Sequence, residues 1–292
     1  SLTGTVLAET QNPFVLEVGS VKFGPVEDAD SNAHEVGHSE FHTSSLHCAG
    51  CHQYTNPNGI EILSTYSEWR TYQASGGDKS CQECHMPLVM ANVVDPKVKR
   101  VAGSFVNLHK MPGGHSRDQL TKSLRLSITE LKRSEKEVYV QVQVKNSGAG
   151  HSVPTGSPSR KVVLSLVAET PGQEETIREQ RVYQRVMSDS EGRPILEDSD
   201  LFCMAAVKVA SDNRIAPGEE RLEEFVLPVL ADENYTIRAT LTYLHSPHNR
   251  PETETRIDFF SVEKSLLAHW QRLSCVRKGV WGGGCGPWRA GR

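Results

Sequence analysis

The sequence predicts an α+β protein that is mostly β, with an immunoglobulin-like β-sandwich in its C-terminal half. Residues 1–120 are rich in His, Gly, Pro, Asn and Ser and have little sustained hydrophobic periodicity, which is typical of loops and short helices. From residue 121, apolar and polar residues alternate in short runs, which is typical of half-buried antiparallel strands. We therefore divide the chain into a first region of residues 1–120, a sandwich of residues 121–262 and a basic, Gly-rich tail of residues 263–292.

One helix is predicted within the first region, at residues 59–74. Apolar residues recur there at a three-residue spacing, which places them on one face of a helix. The residues that share this spacing are Ile60, Leu63, Tyr66 and Trp69. Short helices and loops are expected in the rest of this region.

Seven short strands are predicted after residue 120. Residues 124–128 and 138–144 alternate with a period of two, and residues 162–167 are predicted to form a more fully buried strand. Four further runs lie between Gly, Pro, Asn and Asp residues, at 177–186, 221–227, 235–244 and 255–262. Short antiparallel strands in this number are typical of an immunoglobulin-like sandwich.

Two Cys-x-x-Cys-His motifs indicate the chemistry of the first region. They are Cys48-Ala49-Gly50-Cys51-His52 and Cys81-Gln82-Glu83-Cys84-His85. In such a motif both thiols can form thioethers to the vinyl groups of one haem, and the His that follows is placed under the iron as an axial ligand. The sequence therefore predicts two covalently bound haems c, held by Cys48, Cys51, Cys81 and Cys84, with His52 and His85 as proximal iron ligands.

Two other interpretations of these cysteines are considered. A redox-active dithiol explains each Cys pair, but it does not explain the His that follows both pairs. A zinc site formed by all four motif cysteines has plausible ligand spacing and is kept as the alternative.

The second axial ligand of each iron decides its chemistry. A second His or a Met gives a six-coordinate iron suited to electron transfer, whereas an open position permits catalysis. The sequence has more histidines than two haems need, which favours electron transfer. The candidate distal ligands are His151, His109, His34 and His115, with Met86 and Met111 as thioether alternatives. His151 ranks first because it lies in a glycine-rich turn between two predicted strands, where backbone can approach a large planar ligand.

Composition bears on compartment and partners. No run approaches the roughly 20 apolar residues needed to span a bilayer, so no transmembrane segment is expected. The chain opens at Ser1 without a basic or apolar leader, so we expect mature material after signal removal, in the periplasm or outside the cell. There Cys275 and Cys285 could form a disulfide, with a free or intermolecular thiol as the alternative. No phosphate-binding loop or nucleic-acid signature is present, so a nucleic-acid partner is not expected.

Charge is unevenly distributed, although the formal net charge is only −4. Residues 1–60 contain seven acidic side chains and a single basic one, Lys22. An acidic face near the first motif could steer a basic redox partner, with an ordinary solvated surface as the alternative.

These features together resemble the multihaem c-type cytochromes of bacteria and archaea. The resemblance covers about residues 20–262, rests most specifically on the two Cys-x-x-Cys-His motifs, and includes residues 23–52, 65–87, 109–115, 150–156 and 212–219. It implies low-potential, bis-histidine haems that pass single electrons between redox protein partners in the periplasm or at the cell surface. Some members assemble into extracellular filaments in which a His of one subunit ligates a haem of its neighbour.

We therefore predict a dihaem electron-transfer cytochrome without enzymatic activity. One alternative is a dihaem peroxidase or reductase in which one haem keeps an open position. The other alternative is a subunit of a cytochrome assembly or filament, in which a surplus histidine serves a neighbouring subunit.

Overall fold

The structure is a computed structural model that describes residues 19–91, 105–170, 176–203 and 205–268. Cys275, Cys285 and most of the predicted tail lie outside these residues. The disulfide between Cys275 and Cys285 therefore stays a prediction.

The first region consists of short elements. Its strands are β1 (Lys22–Gly24), β2 (Val36–His38), β3 (Tyr54–Thr55), β4 (Glu61–Leu63), β5 (Leu88–Met90) and β6 (Phe105–Asn107), which pair in that order as three two-stranded sheets. Its helices are α1 (Leu46–His52), α2 (Thr65–Ala74), α3 (Cys81–His85) and α4 (Arg117–Ser123), with a 3-10 turn at Glu40–His42. Among the described residues, no helix has the length and apolar character needed to cross a membrane.

The helix predicted at residues 59–74 begins later than expected, at Thr65. Gly59 lies in the turn between β3 and β4 and takes a left-handed backbone conformation with φ +78°. Ile62 follows in β4 and is fully buried in a small apolar cluster with Met187. The prediction was wrong for its N-terminal part, because the same apolar spacing also suits a turn followed by a strand with one buried side chain.

The residues after α4 form two antiparallel sheets. Their strands are β7 (Leu124–Arg133), β8 (Glu137–Asn146), β9 (Arg160–Glu169), β10 (Thr176–Ser188), β11 (Lys208–Asp212), β12 (Glu220–Pro228), β13 (Tyr235–His245) and β14 (Thr255–Leu266), with α5 (Asp198–Phe202) between β10 and β11. One sheet has the strand order β11-β10-β9-β13-β14, and the other has the order β12-β8-β7.

All seven predicted strands are present, and one further strand, β11, was missed. Its five residues are all exposed, so its sequence lacks the alternation of buried and exposed positions that identifies the others. The last strand continues beyond the predicted end at residue 262, because fully buried Leu266 pairs with Tyr235 at its far end. The immunoglobulin-like type of the sandwich and the three domain boundaries stay predictions.

The two sheets enclose one apolar core. The valines at alternate positions of β8 are fully buried and belong to the same cluster as the central residues of β9. The residues at the centre of this cluster include Val138, Val140, Val142, Val144, Val162, Leu164 and Leu166. Burial of this apolar surface is the main favourable contribution to folding of the sandwich.

We expect Leu164→Ala to lower the free energy of unfolding by about 2–5 kcal/mol, because it removes buried methyl groups and leaves a cavity. Leu222→Ala is the matched control, since the Leu222 side chain on β12 is 52% exposed and its loss should change stability by less than about 0.5 kcal/mol. Urea unfolding followed by far-ultraviolet circular dichroism measures both. Equal losses in the two variants would contradict the assignment of Leu164 to the core.

Hydrogen bonds connect the first region directly to the sandwich. The Asn56 side-chain amide donates to the Ala206 carbonyl at 2.8 Å, and the Tyr54 hydroxyl donates to the Phe202 carbonyl at 3.1 Å. Helix α4 continues into β7 without an intervening loop. These connections hold the helices that carry the two motifs in a defined place beside the sandwich.

Candidate functional site

The two Cys-x-x-Cys-His motifs lie on helices α1 and α3, which contact each other through their first turns. The Sγ atoms of Cys48 and Cys81 are hydrogen-bonded. The Cys81 backbone N–H donates to Ser45 Oγ at 3.0 Å, and the Gln82 side-chain amide donates to the Ser44 carbonyl at 2.8 Å. The fold therefore brings the two motifs side by side, although a hairpin and helix α2 separate them in sequence.

Helix α3 is stabilised by its own first turn. Ser80 Oγ accepts a hydrogen bond from the Glu83 backbone N–H at 3.2 Å, and the Glu83 carboxylate accepts one from the Ser80 backbone N–H at 2.6 Å. This reciprocal pair is a capping box, which satisfies backbone donors that a helix start leaves unpaired. It explains why so short a segment is helical and places both thiols and the His of the second motif on one turn.

The motif cysteines are all free thiols. The hydrogen bond that Cys48 donates lowers the pKa of the Cys81 thiol to about 7. The same bond, together with burial, raises the pKa of Cys48. Within the described parts of the chain, no three His, Cys, Asp or Glu side chains come together as a metal-ion site. The zinc interpretation is therefore not supported, because the four thiols do not converge on one point.

His151 lies opposite His85. Their ring centroids are 6.2 Å apart, and their ring planes differ by 20°. Two imidazoles bound through nitrogen to opposite faces of one metal, each at about 2 Å, place their centroids roughly 6 Å apart. The centroid spacing therefore matches that of two axial ligands of one haem iron.

The hydrogen bonds of these two rings leave the same nitrogen available. Nδ1 of His85 lies 2.6 Å from the Pro112 carbonyl oxygen, and Nδ1 of His151 lies 2.9 Å from the Ser152 carbonyl oxygen. Because a carbonyl can only accept, each Nδ1 carries a proton, and in the neutral form of such a ring Nε2 has the lone pair. Burial lowers the pKa of His151, which keeps its ring neutral. The tautomer that both hydrogen bonds select, with the proton on Nδ1, is the one that lets Nε2 bind a metal.

The other three distal candidates are exposed side chains. Nδ1 of His34 lies 3.1 Å from the Glu35 carbonyl oxygen, and Nδ1 of His109 lies 3.0 Å from the Asn107 carbonyl oxygen. Across the described ranges, contact between a candidate ring and a motif histidine is seen for His151 alone. The ligand opposite His52 stays a prediction, to be sought among His34, His109 and His115.

A second pair of imidazoles, His42 and His47, immediately precedes the first motif. Their centroids are 5.2 Å apart with planes inclined by 33°, and Phe41 packs edge-on against His47 at 5.0 Å. Two imidazoles on opposite faces of one metal would need a spacing of roughly 6 Å, so this pair does not fit that arrangement. Burial, with His42 beside it, lowers the pKa of His47, and we interpret the pair as packing.

The loop that carries His151 is held by two residues that sequence analysis missed. Glu68 on α2 accepts hydrogen bonds from the Ser152 backbone N–H at 3.1 Å and from the Thr155 hydroxyl at 2.8 Å. Asn146, at the end of β8, donates to the His151 carbonyl at 2.9 Å. The position of Asn146 before a Gly-rich turn was an available signal. Glu68 had none, since a glutamate in a helix is usually a surface residue.

Glu68 is a buried carboxylate with a buried cationic partner. Its Oε1 lies 2.7 Å from Arg214 Nη1, and the two side chains are only 11% and 8% exposed. Burial alone would raise the pKa of Glu68, but the Arg214 charge and hydrogen bonds from Ser64 and Thr155 outweigh it and hold the pKa below its usual value. Removal of one partner from such a pair leaves an uncompensated buried charge.

No model of a known protein family matches the chain, and no curated protein matches it. Its structure is similar to that of a penta-heme cytochrome c552 from Thermochromatium tepidum, with a TM-score of 0.68 at 22% identity over 91% of this chain and 74% of that chain. A β-glucosidase from Kluyveromyces marxianus matches 49% of this chain and 15% of that chain at 9% identity, but its TM-score of 0.20 does not indicate a shared fold. The chain thus has the fold of a multihaem c-type cytochrome.

Proposed function

We propose that this chain is a dihaem c-type cytochrome that transfers single electrons between redox proteins outside the cytoplasm. The His85–His151 pair carries the proposal, because its 6.2 Å spacing and free Nε2 atoms suit a six-coordinate iron. An iron with both axial positions filled by imidazoles has no position for a substrate, which favours electron transfer over catalysis. The fold shared with a multihaem cytochrome supports this assignment.

Each of the two motifs would hold one haem. Haem, when bound, supplies a centre that gains or loses one electron. The proposed attachment residues are Cys48 and Cys51 for the first haem and Cys81 and Cys84 for the second, with His52 and His85 as their proximal ligands. His151 is the proposed distal ligand of the second haem.

The protein's own groups tune this site through the imidazole rings. Donation from Nδ1–H to the carbonyls of Pro112 and Ser152 increases the electron density at Nε2 of His85 and His151. A more basic ligand favours the oxidised iron, so we expect a low reduction potential.

Electron exchange with a partner needs a haem close to the protein surface. Residues 1–60, which include the first motif, contain seven acidic side chains and one basic side chain, so the first motif is the proposed point of contact with basic redox partners. The hydrogen bonds from the Cys81 backbone N–H to Ser45 Oγ and from the Gln82 side-chain amide to the Ser44 carbonyl keep the second motif beside it. This arrangement supports a short route for electrons between the two proposed haems.

The proposal is tested by counting and characterising the haems of the holoprotein. A pyridine haemochrome assay should give two haems c per chain that remain attached on a denaturing gel. The oxidised spectrum should be low-spin, and the protein should be reduced reversibly without peroxide-dependent turnover. A high-spin band with peroxide turnover would instead favour a dihaem peroxidase or reductase, and fewer than two haems would contradict the proposal.

A further inference from the structure

We propose that Glu68 and Asn146 are positioning residues for His151. They act by hydrogen bonding to the N–H and to the carbonyl of the peptide bond between His151 and Ser152. The inference rests on the proposed function, since it takes His151 as an axial ligand. Neither residue belongs to a haem-attachment motif, and they lie on opposite sides of the loop, on α2 and at the end of β8.

The peptide group that follows His151 is hydrogen-bonded at both ends by side chains. Its carbonyl accepts from Asn146 Nδ2 at 2.9 Å, and its N–H, on Ser152, donates to Glu68 Oε2 at 3.1 Å. The next carbonyl, of Ser152, accepts from His151 Nδ1 at 2.9 Å. The plane of this peptide cannot rotate without breaking a hydrogen bond. The Ser152 carbonyl, which accepts from Nδ1 of His151, orients the imidazole ring.

Asn146 is fully buried, and its side chain is fully used. Its Nδ2 donates to the carbonyls of His151 and Ile215, at 2.9 and 3.0 Å, while its Oδ1 accepts from the Ala149 N–H at 3.1 Å. Ile215 in turn exchanges two backbone hydrogen bonds with Val153. The Asn146 side-chain amide therefore connects Ala149 at the start of the loop, the proposed ligand His151 and the segment at Ile215.

Glu68 connects the same peptide to the first region. It lies on α2, between the two motifs, so its hydrogen bonds to Ser152 and Thr155 cross from the haem-bearing region to the sandwich. Its other oxygen pairs with Arg214, which also binds Asp212 at 2.7 Å. A hydrogen bond to an ionised acceptor is roughly twice as strong as a neutral one, so the charge of Glu68 contributes to holding the loop.

Close packing between helix α2 and the loop also supports the positioning role of Glu68. A Cβ atom at Gly150, the residue before His151, would lie 2.9 Å from the Tyr72 ring on α2. The loop backbone is thus seated directly on the helix that carries Glu68. A side chain at Gly150 would displace the loop from its acceptor.

Glu68→Gln tests the inference, because it keeps the side-chain size and removes the charge. We expect carbon monoxide to bind the second haem of the reduced holoprotein about 10–100-fold faster than in the wild type, since His151 dissociates more readily. Asn146→Asp keeps the acceptor for Ala149 but loses the donor to the His151 carbonyl, and it should act in the same direction. Glu263→Gln is the matched control, because it breaks an exposed ion pair with Arg238 (2.6 Å) on the sandwich; it should bind carbon monoxide at the wild-type rate.

The variants separate this inference from the proposed function. If His151→Ala leaves both haems low-spin, the axial role of His151 is wrong. If His151→Ala yields a high-spin haem while Glu68→Gln and Asn146→Asp bind carbon monoxide at the wild-type rate, only the positioning roles are wrong. Should Glu68→Gln fail to retain two haems, Thr155→Val replaces it, since it removes one hydrogen bond to Glu68 and leaves the Arg214 pair. A smaller acceleration is then expected, and a wild-type rate overturns the inference.

Discussion

His151→Ala should convert one of the two haems from low-spin to high-spin and open it to external ligands. The substitution removes the only imidazole that contacts a motif histidine ring among the described residues, so the iron above His85 would keep a single protein ligand. Loss of a basic axial ligand should also raise the midpoint potential of that haem, on the order of 0.1 V within the roughly 0.8 V range that axial ligands span. Optical and electron paramagnetic resonance spectra with a redox titration measure these changes.

His248→Ala is the control for this experiment. His248 is an exposed residue in the turn between β13 and β14 and belongs to neither motif. Its substitution should leave both haems low-spin and both potentials unchanged. Two low-spin haems in His151→Ala would contradict the proposed pairing of His85 with His151, and imidazole added to a correctly assigned variant should restore the low-spin spectrum.

Joint substitution of Cys81 and Cys84 by alanine should leave one covalently bound haem per chain. Both thioethers of the second motif are lost, whereas the first motif on α1 keeps its two thiols and His52. Intact-protein mass and the pyridine haemochrome assay count the haems directly. The remaining haem should be the one held by Cys48 and Cys51.

Cys203→Ala provides the matched cysteine control. Cys203 is an exposed free thiol that follows α5 and belongs to neither motif. Its loss should leave two haems bound. Retention of two haems after removal of both Cys81 and Cys84 would refute covalent attachment at the second motif.

The strands of the sandwich could be predicted because the hydrophobic pattern that identifies each strand lies within its own residues. In β8 each buried valine alternates with a polar residue, so the period of two is visible without any partner strand. β11 lacks this pattern because all its residues are exposed, and only pairing with β10 makes it a strand. The predicted helix began too early because burial of Ile62 against the sandwich, a contact between distant segments, overrode local spacing.

Sequence analysis likewise found one part of the candidate site and missed another. His151 was chosen from its glycine-rich surroundings, and the structure brings it against His85. Glu68 and Asn146 were not found, because their importance comes from the one peptide group that they share. Glu68 in particular is an ordinary helical glutamate in sequence and a buried partner of Arg214 in the fold.

The two Cys-x-x-Cys-His motifs are visible in the sequence alone, because each is a spacing of five adjacent residues that a single helical turn displays. The choice of His151 to face the second motif is made only by the tertiary fold. That choice depends on the distance between α3 and a loop that follows β8, two segments far apart in the chain. The packing of α2 against this loop, through Glu68 and Tyr72, sets that distance, and no local pattern of residues encodes it.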